Sequence, residues 1–315
     1  MELAGFYGGT SAGWLETIER WTSDPTHIEG SDFIEVILEL DLRVVSVRLS
    51  PVIMGDQFLG TVSVFRDITK MVEVDRLKTE FVATVSHELR TPMTSIKGYA
   101  DLLLLGAAGE ISEAQQRFLE TIKQNADRLS HLVNDLLEVS RIDQDRVPMR
   151  FAAVPVQDIM GSLQEHIRGR IEDENKLLEL HVEVEPDLPD LRADFDRIIQ
   201  IMHNLGDNAF NYTYDGGRLT LRARLDGDKH GVVMQVQDTG IGIPPEVGDR
   251  IFERFFRGDE LDDLVLDTPG TGLGLSIVKS LVEMHNGSIW FESELGVGST
   301  FSVCIPIYQP EEEQV

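Results

Sequence analysis

Hydrophobic and polar residues follow three different patterns along the chain, and the first pattern predicts strands. Before about residue 67, three β-branched runs read "FIEVILEL", "RVVSVRLSPVI" and "FLGTVSVF". Asp41 and the "GDQ" that begins at Gly55 separate these runs with residues typical of turns. We therefore predict antiparallel strands in this region, preceded by a short helix in "WLETIERWT".

From Ile68 to about Ser140 the hydrophobic period becomes helical. A turn, "GAAGEIS", separates two long helical segments and predicts an antiparallel hairpin. Because one hairpin cannot bury the seam of each helix, we expect two copies of the chain to form a four-helix dimer. The seam positions alternate steps of four and three; they are Ile122, Ala126, Leu129, Val133, Leu136 and Ser140, with Val74, Leu77, Phe81 and Val85 on the first segment.

After Pro148, helical and strand-like segments alternate. The strand-like ones are "LELHVEVE", "RLTLRARL", "GVVMQVQDTG" and "GSTFSVCIPI". This mixture predicts an α+β domain of ordinary size.

The composition of the chain limits which classes of partner it can bind and which cellular compartment it fits. The chain has 55 acidic and 28 basic residues, a formal charge of −27 that repels phosphate backbones and anionic lipid, although such a surface also serves solubility alone. The single cysteine, Cys304, excludes an internal disulfide and fits a reducing compartment. No apolar run approaches about 18 residues, and Met1 is not followed by a signal sequence. We expect no nucleic-acid partner, no membrane contact within this chain and a cytoplasmic location, either alone or as part of a longer membrane protein.

The stretch "SHELRTP" places a histidine, an acid and an arginine in consecutive positions of a predicted helix. His87 by itself fits a core histidine, a metal ligand or a nucleophile, but Thr91 stands where a zinc-protease motif needs its second histidine. Neutral imidazole is a competent nucleophile, and Glu88 is placed to accept its proton. Pro92 removes a helical hydrogen bond, at a cost of about 3 kcal/mol. It either lets the helix bend beyond His87 or accommodates packing.

Three other motifs indicate a nucleotide site. In "NLGDNAFNYT", Asn204, Asn208 and Asn211 share one helix face, which is either a wet surface or a magnesium-phosphate site. "DTGIGI" and "GTGLGLSIVK" are glycine runs, and the second opens a helix whose backbone N–H groups can face an anion. "FERFFR" lies between these runs, and the acidic stretch that follows, through Pro269, is interpreted as a lid.

Taken in order, these motifs resemble those of the sensor histidine kinases of two-component systems, over about residues 68–308. The resemblance implies a dimerisation and phosphoacceptor hairpin followed by an ATPase domain of the gyrase and MutL (GHKL) type. The implied cofactors are ATP and Mg²⁺, and the implied partners are a second copy of the chain and the receiver domain of a response regulator.

The resemblance also implies a role for each motif residue. His87 is the phosphorylated residue, Glu88 its general base, and Thr91 the residue that orients a water to dephosphorylate the partner. Asp238 accepts a hydrogen bond from the adenine amino group, Asn208 holds Mg²⁺, and Asn204 supports it. The glycines that shape the pocket and lid are Gly240, Gly242, Gly270, Gly272 and Gly274, and the arginines that contact the γ-phosphate are Arg254 and Arg257.

One position departs from the family pattern. Members often carry lysine where this chain has Asn211, so either the phosphate clamp is weak or Arg197 or Lys279 supplies the charge. The N-terminal strands, ending in "FRDITK", resemble the later strands of a PAS sensor domain. Only His27 is present there to ligate haem.

The predicted fold is therefore a multidomain α+β protein: a PAS-like antiparallel sheet, a hairpin forming a four-helix-bundle dimer, and an α/β-sandwich ATP-binding domain. The predicted boundaries are 1–67 for the sensor, 68–80 for a coiled-coil linker, 81–146 for the phosphotransfer hairpin, 147–308 for the catalytic domain and 309–315 for an acidic tail. We expect an ATP-dependent histidine kinase that passes phosphate to a response-regulator aspartate and also dephosphorylates it. The alternative is a phosphatase-biased or scaffold protein that binds ATP weakly.

Overall fold

A computed structural model describes residues 19, 33–40, 42–55, 57–144, 147–228, 230–256 and 271–309, with only the backbone of 78, 80 and 83. The chain divides into two compact units, Met1–Ala83 and Thr84–Val315. The predicted helix in "WLETIERWT", His27, the stretch from Arg257 through Pro269 and the acidic tail lie outside the described residues, apart from Glu19 and Gln309.

The first unit contains a three-stranded antiparallel sheet. Its strands are β1 (Ile34–Leu40), β2 (Arg43–Met54) and β3 (Gln57–Asp67), paired in the order β1-β2-β3. The alternating pattern buries Val36, Leu38 and Val47 on one face, as expected for strands that are covered on one side. The antiparallel strands predicted from the β-branched runs are confirmed.

Helix α1 (Thr69–Leu104) and helix α2 (Glu113–Ile142) are separated by the predicted turn. Ser112 begins α2 with a capping box, because its hydroxyl accepts from the Gln115 amide while the Gln115 side chain accepts from the Ser112 amide. Pro92 lies inside α1 without ending it. Lys97 bonds Asp127 at 2.6 Å across the hairpin.

The hydrophobic seam of α2 serves two surfaces. Ala126 and Val133 are buried within the chain, at 2% and 6% exposure. Ile122 and Leu129, from the same predicted seam, stay 45% and 48% exposed. Half of the seam therefore closes the hairpin, and the other half is available to a second hairpin.

The rest of the second unit is a mixed α/β sandwich. Its five-stranded sheet has the order β5-β7-β8-β10-β9, in which β5 and β7 are parallel and the other pairs antiparallel. The strands are β4 (Ala152–Val154), β5 (Leu178–Val184), β6 (Leu191–Ala193), β7 (Gly217–Leu225), β8 (Gly231–Asp238), β9 (Ser288–Glu294) and β10 (Gly298–Pro306), and β4 pairs with β6 in a small separate sheet. The helices are α3 (Val156–Asp173), α4 (Phe195–Tyr212) and α5 (Gly274–Met284), with a 3₁₀ turn at Gly248–Phe252.

The core of this sandwich is built from the apolar stripes of the helices and the sheet strands. Leu163 of α3, Ile201 of α4 and Leu281 of α5 have no exposed surface. His285 lies among them, also fully buried, and its Nε2 accepts from the Asp194 amide at 3.1 Å. The predicted α+β ATPase-type domain is confirmed. Strands β4, β6 and β9 carry too short or too mixed a pattern to have been predicted. Within the described ranges, no helix is long and apolar enough to cross a membrane.

Candidate functional site

The candidate phosphoacceptor lies on the surface of the hairpin. His87, Glu88 and Thr91 are all exposed on α1. The Thr91 hydroxyl lies 3.5 Å from the His87 carbonyl oxygen, one turn earlier, and so shares its side of the helix. Arg90 donates to Asn134 of α2 at 2.8 Å, which fixes the register of the hairpin next to His87. The imidazole is therefore open to another domain or protein.

Asp238 ends the central strand β8 and lies at the base of the candidate nucleotide site. It is only 6% exposed, and its Oδ1 accepts from the amides of Gly240 at 2.8 Å and Ser299 at 3.2 Å. Burial raises the pKa of Asp238 to about 6, against the lowering effect of these two bonds. Both bonds fall on one oxygen, so the other can accept a donor from a ligand.

The first glycine run is packed too tightly for any side chain. A Cβ on Gly240 would lie 2.1 Å from the Tyr212 carbonyl oxygen, and one on Gly242 would lie 2.0 Å from that of Glu294. Gly242 also has a φ of +71°, in the left-handed region that favours glycine. The Ile241 amide donates to the Tyr212 oxygen at 3.1 Å, which joins this run to the end of α4.

The three asparagines project from α4, whose other face is buried. Asp194 caps the helix by accepting from the Arg197 amide, and Asn204, Asn208 and Asn211 are each half-buried. A Cβ on Gly274 would lie 3.8 Å from Asn204 Oδ1, so the glycine that begins α5 lies beside the asparagine face. The structure therefore brings together the asparagine motif, the first glycine run and the described part of the second run.

The second glycine run is joined to the "FERFF" segment. Gly272 has a φ of +71°, and its carbonyl oxygen accepts from the Phe255 amide at 2.9 Å. Arg254 is next to that contact, and its guanidinium donates to both carboxylate oxygens of Asp143 at the end of α2. Arg257 and Gly270 lie outside the described residues, as does the stretch between them.

Arg170 of α3 contacts Asn211, which the sequence did not suggest. Its guanidinium donates to Asn211 Oδ1 at 3.0 Å, to Asp207 at 2.9 Å and to Glu174 at 2.6 Å. His166 also bonds Asp207, at 2.7 Å, and these bonds lower the pKa of that carboxyl although burial opposes them. The Arg170 guanidinium therefore lies next to Asn211, but the carboxylates of Asp207 and Glu174 balance its positive charge. No sequence signal links residues 41 positions apart on two helices.

The two cations considered from sequence for this position are engaged elsewhere. Arg197 bonds Glu138 of α2 at 2.7 Å, and Gln200 bonds the other oxygen of the same carboxylate at 2.5 Å. Lys279 lies over the Phe252 ring at 5.7 Å. The structure thus associates a third cation, Arg170, with Asn211.

The donor set for a divalent metal is limited. No group of three His, Cys, Asp or Glu side chains in the described parts of the chain could hold a metal ion. Mg²⁺ commonly takes one or two protein oxygens together with substrate phosphates and water. The half-buried amide of Asn208 fits such a site, in which the nucleotide supplies most of the ligands.

A mixed sheet packed with three helices, with a buried carboxylate and two glycine runs around an asparagine helix, defines an ATPase domain. It follows a helical hairpin that carries an exposed histidine. The family model for the "Histidine kinase-, DNA gyrase B-, and HSP90-like ATPase" matches residues 193–309. The "His Kinase A (phospho-acceptor) domain" model matches residues 77–145. The chain belongs to the sensor histidine kinase family, and the predicted recognition is confirmed.

Relatives support the same family. Drug sensory protein A of Synechocystis sp. is 38% identical over 260 residues, which cover 79% of this chain and 38% of that protein. Sensor histidine kinase WalK of Bacillus subtilis is 33% identical over 302 residues, 94% of this chain and 48% of its own length. Among solved structures, full-length ShkA in complex with AMPPNP has a TM-score of 0.60 and 30% identity, over 73% of this chain and 46% of that one. The chain thus spans less than half the length of these relatives.

Proposed function

We propose that this chain is an ATP-dependent protein-histidine kinase that phosphorylates His87. The observation that carries this proposal is the combination of an exposed histidine on a hairpin with a converged ATPase site in one unit. A ring nitrogen of His87 attacks the γ-phosphorus, the bond to the β-phosphate oxygen breaks, and ADP leaves. Glu88, the next residue, accepts the ring proton.

The proposed nucleotide roles are those that the family motifs imply, and the geometry of the described residues supports them. Asp238 accepts from the adenine amino group through its second carboxylate oxygen. Asn208, supported by Asn204, contributes an amide oxygen to Mg²⁺, which neutralises phosphate charge when it is bound. Gly240, Gly242, Gly270, Gly272 and Gly274 leave room for the nucleotide, and Arg254 and Arg257 contact the γ-phosphate.

The partners are a second copy of the chain and a response-regulator receiver domain. The exposed halves of the hairpin seam, Ile122 and Leu129, support dimerisation through a four-helix bundle. The regulator takes the phosphoryl group from His87 onto an aspartate, and Thr91 orients the water that later removes it. The three-stranded N-terminal sheet is a PAS-like sensor module, and the described part of the protein works in the cytoplasm.

Incubation with γ-labelled ATP and Mg²⁺ tests the activity. We expect label that is lost in acid and stable in base, because phosphohistidine is acid-labile. Transfer of that label to a receiver domain on mixing would identify the regulator. Absence of label under conditions where ATP binds would instead favour the scaffold or phosphatase function.

A further inference from the structure

Three acids on the last turns of α2 hold the segments that form the nucleotide site. Asp135 accepts from the Thr271 hydroxyl at 2.8 Å, and Glu138 holds the first turns of α4 through Arg197. Asp143, the C-cap of α2, holds Arg254. The hairpin that carries His87 therefore contacts the ATPase domain through three acidic residues, which are spread over about two helical turns.

The ion pair between Asp143 and Arg254 differs from the other two contacts, because Arg254 is one of the arginines that we propose contact the γ-phosphate. The guanidinium donates from both terminal nitrogens, one to each carboxylate oxygen, which is the bidentate geometry that arginine also uses for phosphate. The bond to Asp143 raises the pKa of Arg254, as expected for a cation held by a carboxylate. A guanidinium bound in this way has its two parallel donors committed.

Phosphate and Asp143 are therefore competing partners for the same donors. The side chains of Arg254 and Asp143 are 42% and 27% exposed, so water screens the pair and its strength is modest. Such a pair can be displaced by a multiply charged anion, but it lowers the affinity of the site for that anion. The contacts of Asp135 and Glu138 keep Asp143 close to Arg254.

We propose that Asp143 is an autoinhibitory residue, which withholds Arg254 from the terminal phosphate of ATP until α2 and the ATPase domain separate. This inference rests on the proposed function, specifically on the γ-phosphate contact of Arg254. The state in which Arg254 is paired with Asp143 is the resting state. A signal that moves α2 away from the ATPase domain releases the arginine and activates the kinase.

The test compares ATP and ADP binding and the initial rate of His87 labelling in Asp143→Asn and Asp143→Ala. We expect ATP to bind about two- to fivefold more tightly and labelling to accelerate, with ADP affinity nearly unchanged because ADP lacks the terminal phosphate. The alanine variant has the larger effect, since asparagine keeps one neutral acceptor for the guanidinium. Asp127→Asn is the matched control: it neutralises an acid on the same helix, paired with Lys97 inside the hairpin, and leaves both values unchanged.

Arg254→Gln separates this inference from the function on which it rests. We expect it to weaken ATP binding and to abolish the effect of Asp143→Asn in the double variant. If Arg254→Gln leaves ATP affinity unchanged, the γ-phosphate role itself is wrong, and the competition is overturned with it. If Arg254→Gln weakens ATP binding but Asp143→Asn does not strengthen it, only the competition is wrong. Slower labelling in Asp143→Asn at unchanged affinity would show that the pair positions the domain productively.

Discussion

Replacing Asp238 with asparagine separates ligand binding from folding, because the two effects are expected to have opposite signs. In the structure, Oδ1 of Asp238 already accepts the Gly240 and Ser299 amides. An asparagine oxygen can keep both bonds, but the amide nitrogen then replaces the oxygen that we propose accepts from the adenine amino group. A donor would meet the adenine amino donor, and the charge-assisted bond would be lost.

The loss of affinity follows from the strength of that bond. A hydrogen bond to a charged group contributes about 1.5–3 kcal/mol, which is about 10- to 150-fold in the dissociation constant. The free energy of unfolding, by contrast, is expected to increase in Asp238→Asn. Burial raises the pKa of Asp238 to about 6, so the native state binds the proton more tightly than the unfolded chain. The contribution of this carboxyl to stability is therefore full below the unfolded pKa of about 3.9 and is lost as the pH rises through about 6.

At neutral pH the buried carboxylate thus destabilises the fold, by an amount of order 2–3 kcal/mol. Asp238→Asn removes that cost. We expect the variant to unfold at a higher denaturant concentration at pH 7 while it binds ATP more weakly. Calorimetric titration and urea unfolding on the same preparations measure the two quantities.

The pH profile adds a second signature. With a pKa of about 6, about nine-tenths of Asp238 is ionised at pH 7 and about one-tenth at pH 5, so wild-type ATP affinity falls by about five- to ninefold between them. The asparagine variant experiences the same titration of the nucleotide but has no carboxylate, so the difference between the two profiles isolates Asp238. Unchanged ATP affinity together with parallel pH profiles would refute the adenine assignment.

Four further outcomes are expected. His87→Gln abolishes acid-labile labelling but leaves calorimetric ATP binding intact; label that persists would place the acceptor elsewhere, with His131 on α2 as the next candidate. Thr91→Ala keeps autophosphorylation and impairs dephosphorylation of the regulator, whereas equal loss of both in the two assays would indicate a helix defect. Asn211→Lys tightens ATP binding several-fold, about 1 kcal/mol, and ADP binding less; if calorimetric titration shows that the variant binds each nucleotide as the wild type does, the clamp is either unnecessary here or provided by another residue. Burial lowers the pKa of His285, so the contribution of this histidine to stability is full above about pH 6.5 and is lost as the pH falls below that value. We expect His285→Leu to lower the free energy of unfolding by about 1–3 kcal/mol at pH 7.5, because the Asp194 amide loses its acceptor. In urea unfolding, the stability of this variant should also depend less on pH in the acid range than that of the wild type.

Local patterns determined much of the fold and of the candidate site. The β-branched runs, the heptad-like spacing of α2 and the glycines before Ser112 act within a few residues, where backbone sterics and side-chain periodicity decide the conformation. The same holds for the asparagine face of α4, since residues four and seven positions apart share a face in any helix. The order of the motifs then indicated the kinase family, because several short motifs rarely occur by chance in the same order along one chain.

Tertiary structure decided what those local patterns leave open. The order β5-β7-β8-β10-β9 and the parallel pairing of β5 with β7 depend on how the helices cross the sheet, and β9 was not visible in the hydrophobic pattern at all. The division of the α2 seam into a buried and an exposed half depends on where α1 packs. The contacts of Arg170 with Asn211 and of Asp143 with Arg254 join residues 41 and 111 positions apart. An ion pair at such separation leaves no periodic trace, because its energy depends on the distance in space that the packed core sets and not on the spacing along the chain.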